Sequence, residues 1–198
     1  RFAEEPYAES FWRLLFLLFK EIIMNSIKIA ELLRNSRFTF FENGDFEVEH
    51  AVITYKNFSG KGNEFNPAGG KRTFALCLPT DIGEHLRDQG WNIRIAAPKK
   101  EGDIPILYTE CVVNMDSMYP PTVELLSTFN GKTTRTALEG DAVARLDKVW
   151  IENVDVRIHP YKHDRPPYIY KGYANDIRVT QSQGGSHFGG KYDNYSEE

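Results

Sequence analysis

Lys56, Lys61, Lys71 and Arg72 lie within "ITYKNFSGKGNEFNPAGGKRTF" (residues 53–74), interleaved with Phe58, Phe65 and Phe74 and opposed there only by Glu64. Cations alternating with flat rings suit one kind of non-covalent chemistry. The cations track a phosphate chain, and the rings offer surfaces on which unstacked bases lie. Gly60, Gly62, Gly69 and Gly70 give the stretch backbone freedom to follow a ligand, because glycine adopts angles other residues avoid. A plainer reading stands beside this: a long solvated hairpin whose lysines keep it soluble. Asn57 sits between Lys56 and Phe58 and could add a hydrogen bond.

More rings and cations fall on strand-like segments: Tyr55, Trp91 with Arg94, Tyr108, and Tyr161 with Lys162. A ring on a strand packs inward more often than it stands in solvent, and Trp91 and Trp150 are expected in the core. On an alternating strand Arg72 and Phe74 share a face, so a cation and a ring would emerge side by side. Other chemistries find less support. "GGK" at 69–71 leads into a strand, not a helix, so a phosphate-cradling helix N-terminus is missing. His159 and His163 are split by Pro160 in a strand-to-loop stretch, a poor metal site. No serine lies in a nucleophile-elbow context. The expectation is no catalytic residue, no metal and no cofactor. A nuclease using carboxylates of "EGD" (101–103) and "ENVDV" (152–156) is a remote rival. A non-DNA-binding adaptor on the same scaffold is a nearer one.

The elements that must position these residues are mostly strands. "DFEVEHAVITYK" (45–56) alternates with period two, with Phe46, Val48, His50 and Val52 on one face. Further strands are expected at 72–78, 91–97, 106–115, 122–128, 153–161 and 168–181. A capping pattern at Thr80 or Asp81, with Glu84 following and Gly90 closing, predicts a short helix. Residues 141–150 predict one or two helical turns, and 24–45 reads as helix broken by "ENGD". About seven short strands at close intervals favour a mainly β protein, a small antiparallel barrel or sandwich, over a parallel βαβ sheet.

At 198 residues, with 41% hydrophobic and 13% aromatic content, the chain can build one ordinary core. A formal net charge of −4 excludes a global basic footprint, so any anion site is a local patch. Cys77 and Cys111 lie far apart in apolar runs and read as buried free thiols. Near the start, "SFWRLLFLLFKEII" is too short to span a bilayer, and its acidic flank is unlike a signal peptide. Met24 follows it, which suggests that residues 1–23 are a translated leader; an amphipathic association helix is the alternative. The division expected is a helical extension over 1–44, a binding domain over 45–181 and a disordered Gly-rich tail over 182–198.

"AVITYKNFSGKGNEFNPAGGKRTFALCL", "LRDQGWNIR", "EGDIPILYTECVVN", "PPTVELL", "TALEGDAVARLD" and "VDVRIHPY", in this order, resemble a family of tailed-phage single-stranded DNA-binding proteins over about 45–180. The resemblance implies an OB-fold, a small Greek-key barrel. It also implies a non-enzymatic protein that coats exposed strands in phage DNA replication or recombination, in the cytoplasm of the infected cell. It singles out Lys56, Asn57, Phe58, Lys61, Lys71, Arg72 and Phe74, with Trp91 and Arg94. It also suggests an acidic tail tip, Asp193, Tyr195, Glu197 and Glu198, that recruits replication enzymes. A homodimer is left open.

Overall fold

The computed structural model describes residues 28–62, 69–96, 104–129, 132–162 and 168–182. Residues 28–33 form a short helix, α1. There follow β1 (Arg37–Phe40), β2 (Phe46–Glu49), β3 (Ile53–Asn57), β4 (Thr73–Leu78), α2 (Thr80–Asp88), β5 (Ile93–Ala96), β6 (Ile106–Val112), β7 (Thr122–Phe129), β8 (Lys132–Ala137), a 3-10 helix (Gly140–Asp147), β9 (Ile151–Lys162) and β10 (Tyr170–Gln181).

The ladder runs β1-β2-β9-β10-β6-β4-β3. Since β2 and β3 are consecutive halves of one bent strand, the path from β2 round to β3 closes on itself, with β1 appended to β2. The bend is at His50, whose φ of 54° is unusual for a residue with a side chain. Hydrogen bonds staple it: Asp155 Oδ1 accepts from His50 N at 3.1 Å and Asn153 Oδ1 pairs with His50 Nδ1 at 2.8 Å. Past the bend the strand changes partner. Ala51 N donates to Val154 O on β9, and Val52 O accepts from Cys77 N on β4. The bent strand with β4, β6, β10 and β9 thus makes a barrel, with β6 and β10 parallel and the other neighbours antiparallel. This is the OB-like, mainly β architecture that the sequence blocks implied.

Alternation explains the core. Phe46 and Val48 on β2, Phe74, Leu76 and Leu78 on β4, and Val154, Val156 and Ile158 on β9 all turn inward. Each such burial is worth roughly 1.5–3 kcal/mol. The outer face of β4 and β6 carries a second, small cluster, in which Leu33 of α1 packs with Cys77 and Ile106. Both cysteines are buried free thiols, and burial pushes their pKa up.

Several expectations need correction. Residues 37–40, read as helix, are strand β1, because Phe38 and Phe40 reach the ring of Phe46 from a two-stranded ladder with β2. The run 45–56 is two strands rather than one, for the reason just given. Strand β8 was missed: "KTTRTA" has no apolar alternation because every residue in it is exposed. Pro79 occupies the N-cap of α2, with no side-chain cap, in place of Thr80 or Asp81. Trp150, expected in the core, is 69% exposed, because it lies between the 3-10 helix and β9 outside either element. The proposed leader (1–23) and the tail residues Asp193, Tyr195, Glu197 and Glu198 lie outside the described residues.

Candidate nucleic-acid interface

The outer face of the barrel over β4, β5, β6, β9 and β10 gathers the exposed chemistry. Cross-strand pairs share a face, so register places the side chains. Tyr108 on β6 stands opposite Arg94 on β5 and Cys77 on β4. One step along, Glu110 of β6 faces Ala75 and reaches Lys171 of β10, whose cross-strand partner on β9 is Tyr161. The next row holds Tyr173 beside Val112, and opposite His159. Gly172 separates Lys171 from Tyr173 and keeps both outward. A Cβ at 172 would lie 3.1 Å from Ile158 and 3.2 Å from Cys111, so a side chain there would crowd the core unless those neighbours gave by a few tenths of an ångström.

Two tyrosine pairs result. Tyr55 and Tyr108 have ring centroids 6.2 Å apart, and Tyr161 and Tyr173 are 5.1 Å apart. Between them Glu110 accepts from Lys171 Nζ at 3.2 Å and pairs with Arg94 at 3.8 Å. The carboxylate holds two cations on a ring-lined face, from which a phosphate could recruit either. Tyr55 occupies an irregularity between Thr54 and Asn57, where the β3–β4 register shifts. Its φ is 47° and its side chain is 74% exposed. A bulky residue in this region is strained, and the strain here holds a ring in solvent. α1 bounds the face on one side. At the far end of β9 and β10 lies a cleft of about 330 Å³ of mixed charge, in which Glu47, Glu49, Glu124, Asp155 and Asp176 meet Arg135, Arg157 and Arg178.

The described base of the arm between β3 and β4 is held by hydrogen bonds. Asp147, at the end of the 3-10 helix, accepts from the backbone N–H groups of Phe58 and Ser59, both at 2.8 Å. Gly70 N donates to Gly60 O at 2.8 Å. At Gly69, φ is 66° and a Cβ would come within 2.7 Å of Gly62 N, so only glycine serves there. Asn57 Nδ2 donates to Lys61 O at 3.1 Å, ordering the turn. Lys61 and Lys71 are exposed at this base.

The structure therefore divides the residues that sequence reasoning grouped together. Phe58 and Phe74 are 0% exposed and stack on each other at 5.8 Å inside the barrel. They are core, not platforms: Phe74 lies on the face of β4 that Leu76 and Leu78 also turn into the barrel, and Phe58 stacks on it where Asp147 pins its backbone N–H. Trp91 is likewise buried, edge-on to Phe46. Lys56 does not reach outward: its Nζ donates to Leu146 O at 3.2 Å and Val149 O at 3.4 Å. Burial holds its pKa below the usual lysine value, partly offset by Asp147. Arg72 does not emerge beside Phe74 either. Its side chain is mostly buried and bridges Asp141 at 2.5 Å and Asp116 at 3.6 Å, tying the arm to the start of the 3-10 helix and to the loop between β6 and β7. Its Nε is buried without a hydrogen-bond partner among the described residues. Tyr55, Tyr108 and Arg94 do share the outer face, with Lys61 and Lys71 at the arm. Lys171 and Tyr173 were missed. Their signal was the outward parity of "YKGY" on a strand whose intervening glycine must point inward. Among the described residues no group of His, Cys, Asp and Glu is placed to hold a metal ion, and His159 pairs with Asp45 at 2.7 Å.

The family model of the phage ssDNA-binding domain matches residues 36–183. The chain belongs to that family. Two solved structures are similar to it, both of the single-stranded DNA-binding protein of bacteriophage Enc34. One is a complex with ssDNA (11% identity, 73% of this chain and 90% of that one covered, TM-score 0.46). The other is a C-terminal truncation (12% identity, the same coverages, TM-score 0.45). No curated protein matches the chain. The matched span begins ahead of β1, so it takes in strand that the sequence reading assigned to a helical extension.

Proposed function

We propose that this protein binds single-stranded DNA without sequence preference across the outer barrel face, and coats exposed strands during phage DNA replication or recombination in the infected cell. The observation that carries the reading is two tyrosine couples, each of one exposed ring (Tyr55, Tyr161) and one half-buried ring (Tyr108, Tyr173), around Arg94, Glu110 and Lys171, with Lys61 and Lys71 exposed at the base of the arm between β3 and β4. Rings favour stacking, which every base satisfies. Phosphates would meet Arg94, Lys171, Lys61 and Lys71, so affinity falls with salt by a log-log slope of roughly −0.7 per neutralised phosphate. The role is one of binding, with no chemical step.

The test is fluorescence anisotropy of labelled oligo-dT, with and without magnesium. Magnesium-independent binding that leaves the strand intact supports the reading. Absence of binding points to the adaptor alternative, and magnesium-dependent shortening of the strand points to the nuclease.

A further inference from the structure

We propose that the bound strand runs off the barrel onto the loop between β6 and β7, where Tyr119 stacks on a base and Met118 offers a second apolar surface; this rests on the single-stranded DNA reading above. Met118 and Tyr119 are consecutive and 86% and 87% exposed. A ring held this far into water on an anchored loop is available for a base to stack on, and Met118 beside it adds apolar area.

The loop is anchored at both ends. Val113 N donates to Arg72 O at 2.9 Å, Asp116 pairs with Arg72 at 3.6 Å, and Met115 packs against the core. At its far end Thr122 enters β7 opposite Asp176 of β10. β6 leaves the same edge of β10 at Tyr173. The loop therefore spans from the Tyr173 row of the face towards Asp176, and its start is bonded to the base of the arm. A strand lying over Tyr108 and Tyr173 meets it next.

The charges here select what is presented. Asp116 and Asp141 are almost wholly exposed while they pair with Arg72. These carboxylates repel phosphates, so the strand offers bases, not backbone, to this loop. A duplex hides its base faces and gains nothing from Tyr119, so the contact also discriminates against duplex.

The experiment titrates the full chain, Tyr119→Ala and Tyr119→Phe with labelled oligo-dT of graded length. Tyr108→Ala serves as a control on the face, and urea unfolding verifies that each variant is folded. Tyr119→Ala should bind the shortest competent oligonucleotide as the wild type does and lose roughly 5-fold or more on longer ones. Its occluded length should shrink and its salt slope should not change; Tyr119→Phe should restore affinity. Unchanged binding of Tyr119→Ala at every length, while Tyr108→Ala is impaired, overturns this inference alone. A lowered salt slope, or loss of self-association in place of DNA affinity, also overturns it. If the wild type binds no oligonucleotide, the reading of the barrel face falls with it.

Discussion

Replacing Tyr55 separates strain from stacking. Its φ of 47° lies in the left-handed region, which costs a residue with a Cβ roughly 1–2 kcal/mol. Glycine escapes that cost but forfeits roughly 0.5–1 kcal/mol of chain entropy relative to alanine. Tyr55→Gly should therefore be about 0.5–1 kcal/mol more stable than Tyr55→Ala. Both variants lose the same ring, which is 74% exposed and so contributes little by burial. Both should also weaken oligo-dT binding by the stacking contribution, roughly 1–3 kcal/mol or about 5- to 150-fold. Urea unfolding reads the first quantity and anisotropy the second. If alanine is as stable as glycine, the backbone at 55 is not strained. If both variants bind like wild type, Tyr55 is not a platform and the face loses one of its ring pairs.

Phe58→Ala should behave in the opposite way: it empties a closed core site and should cost roughly 3–5 kcal/mol in urea unfolding, with the affinity of the remaining folded protein near wild type. Lys61→Ala with Lys71→Ala should shallow the salt slope by roughly 1.4 if each meets one phosphate. Lys56→Ala should leave that slope unchanged and instead destabilise by roughly 1–3 kcal/mol, since it strands two helix-end carbonyls. Asp45 contributes to acid sensitivity, alongside Glu124, whose carboxyl the hydrogen bond from Arg135 holds below its usual value. Burial alone would raise the pKa of Asp45, but hydrogen bonds from His159, Asn43 and Arg157 outweigh that and hold it below the usual value. Its stabilisation is therefore complete above about pH 4 and is lost as pH falls through the lower folded value. Unfolding midpoints between pH 7 and pH 3 should show this loss, and Asp45→Asn should lessen it.

What the chain reveals in one dimension is local. Alternation located most of the barrel strands, because a half-buried strand must repeat every two residues. The turn residues and the short helix after β4 were legible for the same reason, and the "NFSGK" and "GGKRTF" blocks pointed to the family. The side to which an aromatic residue turns is not local. Phe58 and Tyr55 both flank cations in the same segment, yet one ring is sealed in the barrel and the other stands in water. The difference is a register shift against β4, visible only once the two strands are paired. Arg72 looked like a free cation until carboxylates from the 3-10 helix and the β6–β7 loop, distant in sequence, closed on it. Lys56 turned away to the 3-10 helix because carbonyls at that helix end lacked donors. Composition and periodicity thus determined a mainly β chain with a cationic, glycine-rich arm, and the family resemblance supplied the barrel. Tertiary structure decided which of its rings and charges reach solvent together, because that depends on pairings between residues that only the closed barrel brings into contact.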